Sequence, residues 1–279
     1  MVSVRDAATV MLVRDDPELQ VFMLRRNPAS VFGPGAYVFP GGAVDPADRD
    51  PEVYRRARGL DDARASQLVG EPRDGLRYWI AAARESFEEA GFVLGEATPS
   101  LAGTRDALNA GTLAWSAALA AHDVVLHLDD LAVFSHWLTP EGAPRRYDTW
   151  FFVAAAPDGQ EGSHDDVEAV HSEWVRPRAA LERFRGGDID LIFPTMRSLL
   201  AIARFDRRDE LIAAVLAAQP EGTPPLVVDD GSGERVALPG DDHATARRAW
   251  APLRSQPELD QALLAEESHT EPLSRRGSP

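Results

Sequence analysis

The sequence predicts an α/β protein in which strands and helices alternate. Three observations carry that prediction. The chain opens on two short apolar, β-rich runs either side of an acidic turn, and residues 76–90 hold the 3–4 spacing of an amphipathic helix. Two more β-rich runs, at 131–138 and 147–155, precede three helical segments, so sheet and helix are interleaved.

Residues 7–13 (AATVMLV) and 21–24 read as two strands joined by the polar turn Asp15-Asp16-Pro17-Glu18. A third short run at 36–39 stops at Pro40-Gly41-Gly42, where backbone freedom rises and close backbone approach becomes possible. From 45 to 75 the composition shifts to Arg, Asp, Pro and Gly, which predicts a surface excursion with one or two short helices. In the 76–90 helix, Leu76, Trp79, Ile80, Ala83, Phe87 and Ala90 form the apolar stripe and Gly91 ends it. Residues 100–123 give an Ala-rich helical pattern, and Glu173-Trp174-Val175 gives a last strand of the central region. After Pro177 come three helices, PRAALERF, TMRSLLAIARF and ELIAAVLAAQ, then a hairpin at 224–238 with Asp230-Gly231 in its turn. Beyond Gly240 the expectation is a further helix or two and a disordered last dozen residues. The resulting division is a main domain over 1–206 with an insertion at 49–75, a helix-and-hairpin extension over 207–240, and a tail over 241–279.

Composition narrows the chemistry. The 279 residues contain no cysteine, which removes disulfides, thiolate nucleophiles and Cys-based metal sites and leaves Asp, Glu and His as the strong metal ligands. With 45 acidic against 29 basic residues the net charge is −16, so neither nucleic acid nor an anionic membrane is an expected partner. No stretch of about 18 apolar residues is present, and the N-terminal residues lack a basic region followed by an apolar one. A cytoplasmic enzyme is the expectation.

Opposite the apolar stripe of the 76–90 helix lie Glu85, Glu88 and Glu89, at i, i+3 and i+4. Such a triplet repels itself unless a cation sits among the carboxylates, and hard Mg²⁺ or Mn²⁺ suits them. A Glu-rich helix face is also ordinary solvated surface, and the triplet alone does not decide. The wider pattern does more. Phe39-Pro40-Gly41-Gly42 upstream and Arg84-Glu85-Ser86-Phe87-Glu88-Glu89-Ala90-Gly91-Phe92 together resemble the Nudix hydrolases, whose signature is G-x5-E-x7-R-E-U-x-E-E-x-G-U with U apolar. Gly42 takes the leading glycine, Asp48 stands where the first glutamate would, and Ser86 departs at an apolar position. Residues 49–83 number 35 where the signature has 7, so 28 residues are inserted inside the motif.

The string FPGGAVDPADRDP, the insertion, the RESFEEAG helix, Trp137-Leu138-Thr139-Pro140, Pro144 to Thr149 and Phe151-Phe152 look like the Nudix-19-type coenzyme A diphosphatases over residues 5–206. The resemblance implies a Nudix fold, a mixed sheet sandwiched between helices, with a helical insertion and extra C-terminal helices. It implies divalent-metal-dependent hydrolysis of the diphosphate in coenzyme A or acyl-coenzyme A, giving 3′,5′-ADP and a phosphopantetheine. Two alternatives stay open: a nucleotide sugar, NADH or dinucleoside polyphosphate as substrate, or a catalytically silent nucleotide-binding Nudix domain.

By carry-over, Glu85, Glu88 and Glu89 are the metal ligands, Arg84 holds a carboxylate in place, and Gly41 and Gly42 let the loop approach metal and phosphate. The Asp48 role stays open. Glu168, in the acidic stretch from Ser163, is the preferred general base and Glu173 the second choice; the plain reading of that stretch is a solvated loop, with His164 and His171 near the surface. Phosphate contacts are sought in Arg25-Arg26 and Arg145-Arg146, with at most one of each pair in the site because strand neighbours face opposite ways. Tyr37, Phe32 and Trp137 are candidates to stack on a base, with core packing the ordinary use of each. The insertion reads equally as a lid or as inert decoration, and the C-terminal helices as cover or as a homodimer contact.

Overall fold

A twelve-residue strand, β1 (Val4–Asp15), organises the molecule, and its alternation shows why. Ala8, Val10 and Leu12 point into one apolar cluster while Met11 and Val13 point into another, the period of two that a strand buried on both faces must have. The computed structural model describes residues 2–31, 33–96, 99–139 and 145–218, and beyond them three short backbone strands. In chain order the other elements are β2 (Leu19–Arg26), β3 (Tyr37–Val38), β4 (Gly41–Ala43), α1 (Pro51–Arg55), β5 (Ala57–Arg58), α2 (Asp62–Val69) and α3 (Leu76–Ala90). Then follow β6 (Gly95–Glu96), α4 (Arg105–Asn109), α5 (Trp115–Ala121), β7 (Val125–His127), β8 (Ala132–Leu138), β9 (Arg146–Ala155) and β10 (Ala169–Val175). Last come α6 (Pro177–Gly186), α7 (Phe193–Ile202), α8 (Arg208–Ala217), β11 (Leu226–Asp229), β12 (Glu234–Ala237) and β13 (Arg247–Trp250).

The main sheet runs β10-β2-β1-β9-β8-β13-β11-β12, with β3 against β2 and β4 against β1. It is mixed: β1 and β9 run parallel over ten residue pairs, whereas β1 is antiparallel to β2 and β4. Helix α3 covers one face together with the insertion and α5, and α6, α7 and α8 cover the other, so the sheet is sandwiched between helices. Among the described residues no helix is long and apolar enough to cross a membrane.

Helix α3 ends where expected. Gly91 adopts φ 77°, its N–H donates to Phe87 O and the next N–H, of Phe92, donates to Ser86 O. The expectation of a solvated glutamate face fails, however, because every residue of α3 except Glu88 is buried. A helix wedged between a sheet and an insertion has no solvent face.

Three expectations are revised. The Ala-rich stretch 100–123 breaks into a 3₁₀ turn (Pro99–Thr104), α4 and α5, with Gly111 at φ 66° in the break. Residues 247–250 form β13, which joins β8 and β11, rather than part of a helix; pairing with the sheet satisfies backbone groups that an edge β8 would leave open. The insertion is more than decoration: Val53, Ala65, Leu68 and Val69 enter the α3-side core and β5 pairs with β7 in a small second sheet. The Asp230-Gly231 turn and the tail beyond Trp250 lie outside the described residues.

Candidate active site

Pairing of β4 with β1 sets the site. Gly41 lies opposite Thr9 and Gly42 opposite Ala8, and here the absence of side chains is a spatial necessity. A Cβ on Gly41 would come within 2.5 Å of Ala8 O, and one on Gly42 within 2.5 Å of Glu85 Oε1. Gly41 therefore lets β4 lie close on β1, and Gly42 leaves the space through which Glu85 of α3 reaches the cleft. Gly41 N–H donates to Glu89 Oε2 at 2.8 Å and fixes that side chain behind the loop.

Arg84 gathers the acids. Its guanidinium forks onto Asp48, with Nε to Oδ1 at 2.8 Å and Nη2 to Oδ2 at 3.0 Å, while Nη1 donates to Glu85 Oε1 at 2.8 Å and to Glu88 Oε2 at 2.7 Å. Nη2 also reaches Ala43 O at 3.0 Å, tying the helix to β4. Asp48 has no exposed surface and accepts from Asp45 N–H at 2.7 Å in a capping box. The role left open for Asp48 is thus visible: it is the buried counter-charge of Arg84, and the 28 inserted residues leave and return without parting the two.

Burial dominates the electrostatics. It lifts Glu85 to about 7, against the pull of Arg84 and with the push of Glu88. It raises Glu88, and it raises Glu89 well above the usual carboxylate range, with the Glu85 charge adding to it. Arg84 is buried too, yet Asp48, Glu85 and Glu88 outweigh that cost and raise its pKa. Three carboxylates held out of water, each disfavouring charge, form a set that a cation would relieve. Among the described residues no three acidic or histidine side chains are already drawn into a cage; Glu85, Glu88 and Glu89 each give one oxygen to Arg84 or Gly41. The donor chemistry, all carboxylate oxygen, fits a hard divalent ion.

The cleft, of about 530 Å³, opens beside the two glycines. Of the sequence-predicted residues, Gly41, Gly42, Glu85, Arg26, Arg145 and Glu168 line it. Glu168 is exposed, its N–H held by the Asp165 carboxylate at 3.1 Å and its carbonyl by Asn27 N–H, and its charge is one of those acting on Glu89. Glu173 is elsewhere, bonded to Arg183 Nη1 at 2.8 Å. Arg146 also lies outside the lining, because β9 alternation turns it to Thr139 O at 3.1 Å while Arg145 sits at the cleft. Tyr37 is buried beneath Arg183, His164 leans on Ser172, and Phe32 lies outside the described residues. Trp137 lines the cleft.

Sequence reasoning missed Arg105 and the start of α7. Arg105 donates from Nε to Glu88 O at 2.9 Å and from its Nη atoms to Ser163 Oγ and O at 3.0 and 2.9 Å, clamping the end of α3 to the loop that leads to Glu168. No motif marks it, since its partners are distant in sequence and mostly backbone atoms. Ile192, Phe193 and Pro194 line the cleft one turn before the helix that the pattern suggested; Pro194 in the first turn was the available signal.

The description of the NUDT19 Nudix domain matches residues 61–202 of this chain. The acyl-coenzyme A diphosphatase NUDT19 of Homo sapiens is 28% identical over 269 residues, covering 80% of this chain and 72% of its own. The protein of the same name from Gallus gallus is 28% identical over 298 residues, covering 85% and 79%. Among solved structures, a NUDIX hydrolase from Alicyclobacillus acidocaldarius aligns with a TM-score of 0.62 at 26% identity, covering 77% of this chain and 98% of that one. The family match begins inside the insertion, after Gly41, Gly42 and Asp48.

Proposed function

The chain belongs to the NUDT19 Nudix family, and on that footing we propose that it hydrolyses the diphosphate of coenzyme A or acyl-coenzyme A to 3′,5′-ADP and an (acyl-)phosphopantetheine. The single observation that supports this reading is Glu85, which lines a ligand-sized cleft beside Gly41 and Gly42 and is bonded to the Arg84 that also holds Asp48 and Glu88. Glu85, Glu88 and Glu89 are the residues that would hold Mg²⁺ or Mn²⁺, and the bound ion would supply Lewis acidity and neutralising charge for the diphosphate oxygens. Arg84 keeps Glu85 and Glu88 oriented, and its own charge is fixed by Asp48.

Gly41 and Gly42 allow the diphosphate to lie against backbone, with Arg26 and Arg145 supplying cations along the cleft that a protein of net charge −16 needs. Glu168 takes a proton from the attacking water; the new P–O bond forms as the bridging P–O bond breaks, and the leaving phosphate retains that oxygen. Its carboxylate is exposed and lines the cleft, where a water entering from solvent meets it.

The test is product identification by mass spectrometry with coenzyme A, acyl-coenzyme A, NADH, ADP-ribose, UDP-glucose and diadenosine polyphosphate, in Mg²⁺ or Mn²⁺. Release of 3′,5′-ADP from the coenzyme A compounds is expected, falling at least a hundredfold in Glu88→Gln and Glu89→Gln with the fold intact and about a hundredfold in Glu168→Gln. Cleavage confined to another compound would retire the coenzyme A reading, and tight binding without turnover would favour a silent binding domain.

A further inference from the structure

The diphosphate and the proton transfer are assigned to the stretch of the cleft around Gly41, Gly42, Glu85 and Glu168. The stretch lined by β8 and the start of α7 has a different character. Trp137 from β8 meets Phe193 from the start of α7, Leu138, Ile192 and Pro194 line the same cleft, and all five are apolar side chains left half-buried by the protein's own packing. Trp137 and Phe193 meet edge to face, their centroids 5.7 Å apart and their planes at 85°. The Trp137 indole N–H is directed to Ser135 Oγ at 2.9 Å, so what the ring offers the cleft is hydrocarbon.

The three parts of the substrate make different demands on such a wall. A purine is held best in a slot between two parallel rings, and Trp137 and Phe193, at right angles, form no such slot. A 3′-phosphate needs cations, and among the described residues the cationic lining is Arg26, near Glu89 and Glu168, and the exposed Arg145, neither of them part of the Trp137 and Phe193 contact. A flexible, largely aliphatic chain needs only dry, irregular apolar surface. We propose that the Trp137, Leu138, Ile192, Phe193 and Pro194 wall is the subsite for the acyl-pantetheine arm, with Trp137 and Phe193 the residues that set preference for acyl-coenzyme A over free coenzyme A. This rests on the coenzyme A reading above and deepens it.

The experiment measures 3′,5′-ADP release by the full chain from free coenzyme A and from a straight-chain series of acyl-coenzyme A thioesters, with Mg²⁺. Each methylene that reaches the wall is expected to raise kcat/KM about two- to fourfold until the chain outgrows it. Phe193→Ala and Trp137→Ala flatten that slope mainly through KM, while Phe193→Leu, which keeps the apolar surface, restores most of it. Leu138→Ser serves as a further probe should Trp137→Ala fold poorly, with thermal melting as the check. A chain-length slope absent from the wild type, or unaltered in folded variants, overturns the subsite. Absence of 3′,5′-ADP from every coenzyme A compound would instead overturn the underlying function, so the two failures are distinguishable.

Discussion

A guanidinium presents its N–H donors in one plane, and Arg84 directs them at three carboxylates and a strand carbonyl without leaving the core. That arrangement explains why Asp48 serves where the signature has glutamate: seated in its own capping box, the shorter acid still meets the fork with both oxygens. The other departure from the signature has a measurable cost. Ser86 is fully buried and its hydroxyl finds no partner among the described residues, in a position the pattern fills with an apolar side chain. An unmet buried hydroxyl costs about 1–3 kcal/mol, so Ser86→Ala is expected to stabilise the fold by about 1 kcal/mol in denaturant titration. A fall in stability would show that the hydroxyl has a bonding role. The identities of Arg84, Glu85, Glu88 and Glu89 were legible from spacing, whereas the partner of Arg84 was not, because the two are 36 positions apart in sequence.

Strand β4 has only three residues, yet both sides of it matter. On its strand-pairing side Gly41 meets the backbone of Ala8 and Thr9, which cannot retreat; toward α3 Gly42 meets the end of the Glu85 side chain, which can. The two glycines should therefore respond differently to the same change. Gly41→Ala is expected to pull β4 from β1 and lower stability by about 2 kcal/mol or more, as overpacking against fixed atoms does. Gly42→Ala should displace Glu85, lowering turnover at least tenfold and weakening divalent-ion binding while the melting temperature changes little. Calorimetric melts and metal titrations on both variants check this, and equal stability losses would refute the distinction. Helix α3 and the strands of the core were readable because period and end signals agreed within each segment. The 100–123 region was not, since its alanines suit a helix while Gly111 and the Arg105 clamp impose a break that only the neighbouring loop explains.

At the scale of the whole molecule, the buried carboxylates couple stability, pH and metal. Burial holds Glu85 near 7, above its unfolded range, and raises Glu88 and Glu89 in the same direction. Groups whose folded pKa is raised bind more protons when folded, so their contribution to stability is fully present below about 4.5 and is lost as pH rises through about 7. The metal-free protein is therefore expected to lose melting temperature between pH 5 and pH 8 through this cluster. Added Mg²⁺ or Mn²⁺ should raise the melting temperature more at pH 8 than at pH 5, where protons compete for the same oxygens. A metal-induced shift independent of pH, or a Glu85→Gln variant with an unchanged pH trend, would refute the coupling.

The sequence by itself determined which residues are candidates for the chemistry and most of the segments that are strand or helix, since both depend on local spacing: the i, i+3, i+4 glutamates, the glycine pair, and the periods of 2 and 3.6. Only the tertiary structure decided which of those groups meet. Strand alternation brought Arg145 rather than Arg146 to the cleft, the capping box placed Asp48 under Arg84 across the insertion, and the sandwich of sheet and helices buried a glutamate face that spacing alone makes look solvated. Contacts between residues far apart in sequence are set by how layers pack, and packing leaves no local signal in the chain that makes it.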